Sequence, residues 1–332
     1  MFALDALLDA EKLVRAALPR TPALRWPLIS NRLGASAIVK HENHNPTGAF
    51  KVRGGLTFVD ALRWRKPDAR GLVSATRGNH GQSLAYAGAR AGLEVTIYVP
   101  RGNSVEKNAA MRALGARLVE FGDDFQEARE EAMRVADSLG LEAVPSFHRD
   151  LVRGVATYAL ELLSDHPDLD VLYVSIGQGS GVCGCIAARD ALGLKTEIVG
   201  VQAAAAPAYA LSLQAGRVVS TETSETFADG MATRVPDAEA LDVIAKGVAR
   251  IALVSEDEIA EAIRVYWRDT HNLAEGAGAA PLAAALKERD RLRGKKVGLV
   301  LSGANIDFDL FRRRVIGPGA SQSPQFLEET QL

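Results

Sequence analysis

The segment "DVLYVSIGQGSGVCG", residues 170–184, decides the fold. It opens as an unbroken apolar run, passes through Gly177, Gly179, Gly181 and Gly184, and leads into a small-residue helical pattern near 182–192. A strand apolar on both faces belongs to a parallel sheet covered by helices on either side. Glycines let backbone N–H groups converge where such a helix starts, and the positive end of the helix adds to them. The product is an anion site suited to a phosphate, to which Ser180 can add a hydroxyl.

The same alternation runs outward in both directions. "GLVSA" (71–75), "EVTIYVP" (94–100), "ARLVEFG" (116–122), "TEIVGVQ" (196–202) and "KKVGLVLSG" (295–303) read as strands. Between them lie helical patterns such as "GQSLAYAGARAG", "NSVEKNAAMRALG" and the charged "DDFQEAREEAMRVADSLG". This predicts an α/β fold of two doubly wound open-sheet lobes. The expected division is a large cofactor-binding lobe from 1–70 and 147–318, a small lobe from 71–146, and a loosely held tail over 319–332. Ligands of such sheets bind beyond the carboxyl ends of the strands. That rule selects "TRGNHG" after residue 75, "GQGSG" after 176 and "SGAN" after 301.

Composition narrows the function. With 47% hydrophobic and 24% charged residues over 332 positions, and 39 basic against 41 acidic side chains, nothing points to nucleic acid or a membrane surface. The apolar runs are strand-sized, and the N-terminal "MFALDALLDAEKLVRAAL" carries acids among its leucines, as an amphipathic helix rather than a signal peptide does. Cys183 and Cys185 are too close for an unstrained disulfide and read as buried thiols of a cytoplasmic protein.

Gly179-x-Gly181-x-x-Gly184 formally matches a dinucleotide fingerprint, but the next strand ends in Gln202 where a ribose-binding acid is needed. There is no GxxxxGK[ST] either. In "NPTGAFKVRG" (45–54), by contrast, Lys51 sits among glycine, alanine and phenylalanine. A lysine in a dry pocket, paired with a separate monophosphate cradle, is what pyridoxal phosphate requires.

At this point the chain resembles the fold type II (tryptophan synthase β-like) pyridoxal-phosphate enzymes, in particular the serine/threonine dehydratase and serine racemase group. The resemblance is carried by "KHENHNPTGAFKVRG" (40–54), "SATRGNHGQSLAYAG" (74–88), "YVSIGQGSGVCG" (173–184), "FADG" (227–230), "AEGAGAA" (274–280) and "LSGANID" (301–307). It implies that Lys51 holds the cofactor covalently and later moves the α-proton. It implies that Phe50 packs on the ring, that Asn79 bonds the ring hydroxyl, and that Gly177, Gln178, Gly179, Ser180 and Gly181 cradle the phosphate. Ser302 would face the pyridine nitrogen, and Thr76, Arg77, Gly78, Asn79 and His80 would receive the substrate carboxylate. A hydroxyl at Ser302 protonates the ring weakly, which suits β-elimination better than transamination.

The expected activity is therefore dehydration and deamination of a β-hydroxy-α-amino acid such as L-threonine or L-serine to a 2-oxo acid and ammonia. Alternatives are a bulkier or acidic substrate (3-hydroxyaspartate, 3-phenylserine), then racemisation, then nicotinamide-dependent oxidoreduction. Arg77 departs from the small residue usual in the family and argues against racemisation; it either faces the substrate loop or points to solvent. Ala49 replaces a usual serine. The cation site of racemase-like relatives has Gln202 and Ala208 at its acidic positions here, so no metal is expected there. His41 and His44 lack a third ligand. Glu275 reads as a contact on the cofactor side or as a neighbour of a helix N-cap, the former being preferred. The chain stops soon after "SGANID", so isoleucine feedback through a C-terminal regulatory domain is not expected. By analogy, a homodimer or homotetramer is.

Overall fold

A computed structural model of the chain describes residues 1–317. The expected tail, 319–332, lies outside the described residues. Two sheets organise the rest. The larger has six strands in the order β1 (Ala23–Arg25), β2 (Ser36–His41), β10 (Lys296–Leu301), β7 (Val171–Ser175), β8 (Glu197–Ala203) and β9 (Arg250–Val254). Only β1 runs antiparallel, against β2. The smaller sheet is wholly parallel, in the order β5 (Arg117–Glu120), β4 (Glu94–Val99), β3 (Gly71–Ala75) and β6 (Glu142–Ala143).

Strand periodicity explains the layering, because successive side chains point to opposite faces. In β7, Val171 and Tyr173 enter one core with Val39, Val199 and Leu299. Leu172 and Val174 enter the opposite core with Ile38, Ile198 and Val300. The smaller sheet divides the same way, with Leu72, Val95 and Ile97 on one side and Val73, Ala75 and Tyr98 on the other. Both faces of both sheets are covered, so the α/β doubly wound expectation describes the molecule.

Helix starts follow local chemistry. Ser104 and Asp124 accept hydrogen bonds from the backbone N–H of Lys107 and Glu127, opening the helices Val105–Ala113 and Phe125–Leu139. The helix Lys51–Arg65 joins the two sheets. Its first turn lies over the end of the larger sheet, while Phe58, Val59 and Leu62 pack into the core of the smaller one.

Beneath that first turn is a buried ionic network that sequence reading does not anticipate. Arg53 donates to Glu42 (2.8 and 3.0 Å) and to Glu161 (2.9 and 3.0 Å). Lys40 donates to Glu161 at 2.6 Å, and Thr21 and Asn45 donate to Glu42 at 2.5 and 2.8 Å. All four ionic side chains are at most 1% exposed. Two cations match two anions, so the network is formally neutral.

Candidate active site

The carboxyl ends of β2, β3, β7 and β10 converge on one region. The segment before Lys51 is tied to the end of β10: Phe50 N–H donates to the Ser302 carbonyl at 3.0 Å, and Ala304 N–H to that of Gly48 at 3.0 Å. Lys51 is the first residue of its helix, and its carbonyl accepts from the Ser83 hydroxyl at 2.6 Å. Its Nζ lies 4.9 Å from the centre of the Phe50 ring. Burial lowers the amine to about 8, against an upward pull from Glu275.

After β7 the chain turns at Gly179, whose φ of +99° favours glycine, and the helix Ser180–Ala191 begins at once. The sequence places this helix near 182; Ser180 and Gly181 lie instead in its first turn. The reason is that Gly179 alone makes the turn, so no further loop is needed. Like those of any helix, its first N–H groups have no carbonyl within the helix to receive them, and no side chain caps this one. A Cβ at Gly177 would stand 2.2 Å from the carbonyl oxygen of Gly230, so the backbones meet at that point. Hydroxyls hold the turn from outside: Tyr209 bonds the carbonyl of Gln178 at 3.0 Å, and Tyr158 that of Gly181 at 3.1 Å. Tyr158 also meets Phe50 edge to face.

Phe50, Lys51, Asn79, Ser302 and the run Gly177–Gly181 line one cavity, together with Glu275. A second cavity adjoins it through Lys51, Asn79 and Gln178, and holds Thr76, Arg77, Gly78, His80, Lys107 and Asp229. The structure thus brings together every residue that the sequence assigns to the cofactor and the substrate loop. Thr76 Oγ1 accepts from Gly78 N–H at 3.0 Å, shaping the loop that starts the helix Asn79–Ala91. His80 is buried with Nε2 unpartnered. Burial and nearby Lys51 hold its imidazole down at about 3, against a backbone bond at Val144, so it stays neutral near pH 7. Arg77 is exposed, with its carbonyl held by Asn103 at 3.3 Å.

A polar chain crosses between the two sheets. Asn79 donates to Glu275 at 2.8 Å and accepts from Asn305 at 2.7 Å, and Asn305 also donates to the carbonyl of Thr47. Burial raises Glu275 to about 7, although Lys107, the Asn79 bond and Lys51 pull the other way. Lys107 pairs with Asp229; burial opposes its charge, but Asp229 and Glu275 outweigh that and hold it above its ordinary value. Sequence reading gives no role to Lys107 or Asn305. The motif "FADG" contains Asp229 and is the only signal that pointed toward this pairing.

His41 accepts from Trp26 Nε1 at 2.9 Å, and His44 Nε2 lies 2.8 Å from Asn272 Oδ1. Gln202 is buried, and its side-chain oxygen accepts from Ala210 N–H at the start of the helix Ala208–Ala215. Cys183 and Cys185 are both buried and free. Among the described residues no helix is long and apolar enough to cross a membrane.

The residues present fit pyridoxal phosphate. The cradle offers free N–H groups and no side-chain bulk, the amine of Lys51 is desolvated, and Glu275 Oε2 is buried without a partner in the same cavity. Comparison with known proteins agrees. The chain is 33% identical over 324 residues to the L-threonine ammonia-lyase of Thermotoga maritima, covering 97% of this chain and 80% of that one. It is 32% identical over 309 residues to an L-threo-3-hydroxyaspartate ammonia-lyase of Pseudomonas sp, covering 92% and 96%. Among solved structures, the threonine deaminase of T.th. superposes with a TM-score of 0.87 at 31% identity, over 92% of this chain and 99% of that one. The model of the family "Pyridoxal-phosphate dependent enzyme" matches residues 14–303, and the chain belongs to that family.

Proposed function

We propose that this protein is a pyridoxal-phosphate-dependent ammonia-lyase that eliminates the β-hydroxyl of a β-hydroxy-α-amino acid, yielding a 2-oxo acid and ammonia. The observation that carries this reading is the single cavity shared by the desolvated Lys51 amine, Asn79, the Gly177–Gly181 cradle and Ser302.

When bound, the cofactor supplies an electron sink that acidifies the hydrogen on the substrate's Cα. The protein's own groups do the rest. Lys51 would hold the cofactor through its Nζ, and as a free amine that Nζ would take the α-proton; a value near 8 leaves part of it neutral at physiological pH. Phe50 walls one side of the cavity, and the first turn of Ser180–Ala191 binds the phosphate. Asn79 is fixed from two sides by Glu275 and Asn305, so its amide is aimed before any ligand arrives. The backbone N–H groups that open Asn79–Ala91, with Thr76, receive the α-carboxylate. Ser302 offers the ring a neutral hydroxyl instead of a carboxylate, which favours loss of the β-substituent. Buried His80 packs the loop beside Thr76 and Asn79.

We also propose a lobe division at 1–70 with 147–318 against 71–146, a homodimer or homotetramer, and a cytoplasmic location. The test of activity is direct. Purified protein should be yellow and should release ammonia and a 2-oxo acid from β-hydroxy amino acids, and Lys51→Ala should lose both colour and turnover. A colourless protein with no borohydride-stable adduct on Lys51 refutes the reading.

A further inference from the structure

Arg77 stands at the junction of two cavities. It lines the inner one with Lys51, and, with Phe125, Gln178 and Ala232, it also lines a wider outer groove of mixed charge that holds Asp124, Glu222 and Glu225 as well as Arg129, Arg234 and Arg314. Its backbone is anchored by Asn103 and flanked by the Thr76–Gly78 turn. A Cβ on Gly78 would meet the Lys107 side chain at 2.5 Å, so the loop is packed from below. The guanidinium, by contrast, has no hydrogen-bond or ion-pair partner among the described residues, and the side chain is exposed to the cleft.

The charged lining residues of the inner cavity are Lys51, Arg77, Lys107 and Asp229. Lys107 is matched by Asp229. Lys51 is committed to the cofactor, and the substrate's α-carboxylate is met by the helix N–H groups. Arg77 is left over. The side chain of serine or threonine brings nothing to match it, whereas a carboxylate on Cβ brings the planar anion that a guanidinium binds bidentately.

Resting on the activity proposed above, we propose that Arg77 sets the specificity of this site by binding a second carboxylate. The preferred substrates are then β-hydroxy amino acids of the 3-hydroxyaspartate class. The reaction balances as a dehydration followed by hydrolysis: the Cα–H and Cβ–O bonds break, water leaves, and water then releases ammonia from the enamine to give a dicarboxylic 2-oxo acid.

The test uses the holoenzyme with L-threo-3-hydroxyaspartate and L-threonine, scored by ammonia release. Wild type should favour the former in kcat/KM, and Arg77→Ala should lower the ratio of the two values by about 10- to 100-fold, as loss of one charge-assisted interaction does. Arg77→Lys should retain part of the ratio. Calorimetric binding of L-aspartate, measured against L-alanine, should weaken in parallel in Arg77→Ala. An unchanged ratio, or a wild type that favours L-threonine or 3-phenylserine, overturns the assignment while leaving the ammonia-lyase reading intact. Absence of ammonia from every β-hydroxy amino acid overturns both.

Discussion

Replacing Glu161 by glutamine tests whether the buried network beneath the Lys51 helix is held by charge balance. Glu161 accepts from Lys40 and from two nitrogens of Arg53, and none of these groups reaches water. Glutamine preserves shape but leaves two cations facing one anion, Glu42. Removing one partner of a buried pair costs about 3–5 kcal/mol, because the remaining charge stays desolvated. An unfolding entropy of about 2.1 cal/mol/K per residue gives about 0.7 kcal/mol/K for a chain of this length, so the melting temperature should fall by about 4–7 °C. Lys40→Met unbalances the network the other way and should cost a similar amount. The double variant keeps Arg53 with Glu42 and restores neutrality, so it should be more stable than the sum of the single changes by about 2–3 kcal/mol. Differential scanning calorimetry of all four proteins, loaded with cofactor, closes the cycle. A pH series adds a check of sign. Burial pushes the Glu161 carboxyl up, but Arg53 and Lys40 outweigh it and hold it below its ordinary value. Its stabilisation is therefore complete above the unfolded carboxylate value and is lost as pH falls through the folded one, so the gap between wild type and Glu161→Gln should narrow in acid. Single variants within about 2 °C of wild type, or shifts that simply add, would refute the reasoning.

Two further outcomes concern the cofactor. The rate of covalent uptake by apoprotein needs the neutral Lys51 amine, so it should rise about tenfold per pH unit and level off above about 8. Glu275→Gln should move that bend to lower pH, since the Glu275 carboxylate raises Lys51; a bend at the ordinary lysine value, with or without Glu275, contradicts a desolvated amine. Gly177→Ala drives a methyl into the Gly230 carbonyl and must displace the segment that carries Asp229. Cofactor affinity, read by spectrophotometric titration, should weaken about tenfold or more, and an unchanged affinity would show that the two backbones can part freely.

The sheets were legible because their strands are buried on both faces. "GLVSA" is β3 from end to end, and "EVTIYVP" misses the end of β4 by one residue. β2 gives no readable strand pattern in the sequence, since Lys40 interrupts its apolar run; the charge is tolerated only because Glu161, some hundred positions away, completes it. β9 is hidden for a different reason: Arg250 and partly exposed residues blur its pattern. At the site, residues whose type announces their chemistry could be read in advance: an enclosed lysine and a glycine-rich turn between strand and helix. Lys107 and Asn305 could not, because their importance lies in the partners they meet across the fold, Asp229 and Asn79, and pairwise contact at that separation leaves no local pattern.

The helix Lys51–Arg65 has a consequence for anyone recombining this scaffold. Its first turn is locked through Arg53 to Glu42, just past the end of β2, and to Glu161 of the helix Arg149–Asp165, and its second half supplies Phe58, Val59 and Leu62 to the core of the smaller sheet. The four-stranded unit is therefore not a portable module. A chimera joined before residue 51 imports a foreign attachment point for the cofactor, and one joined after 65 keeps the native attachment but sets its far half against unfamiliar packing. Successful crossovers should be those that inherit the helix together with the inner faces of both sheets, which makes it the keystone by which the two halves must be exchanged or retained as one.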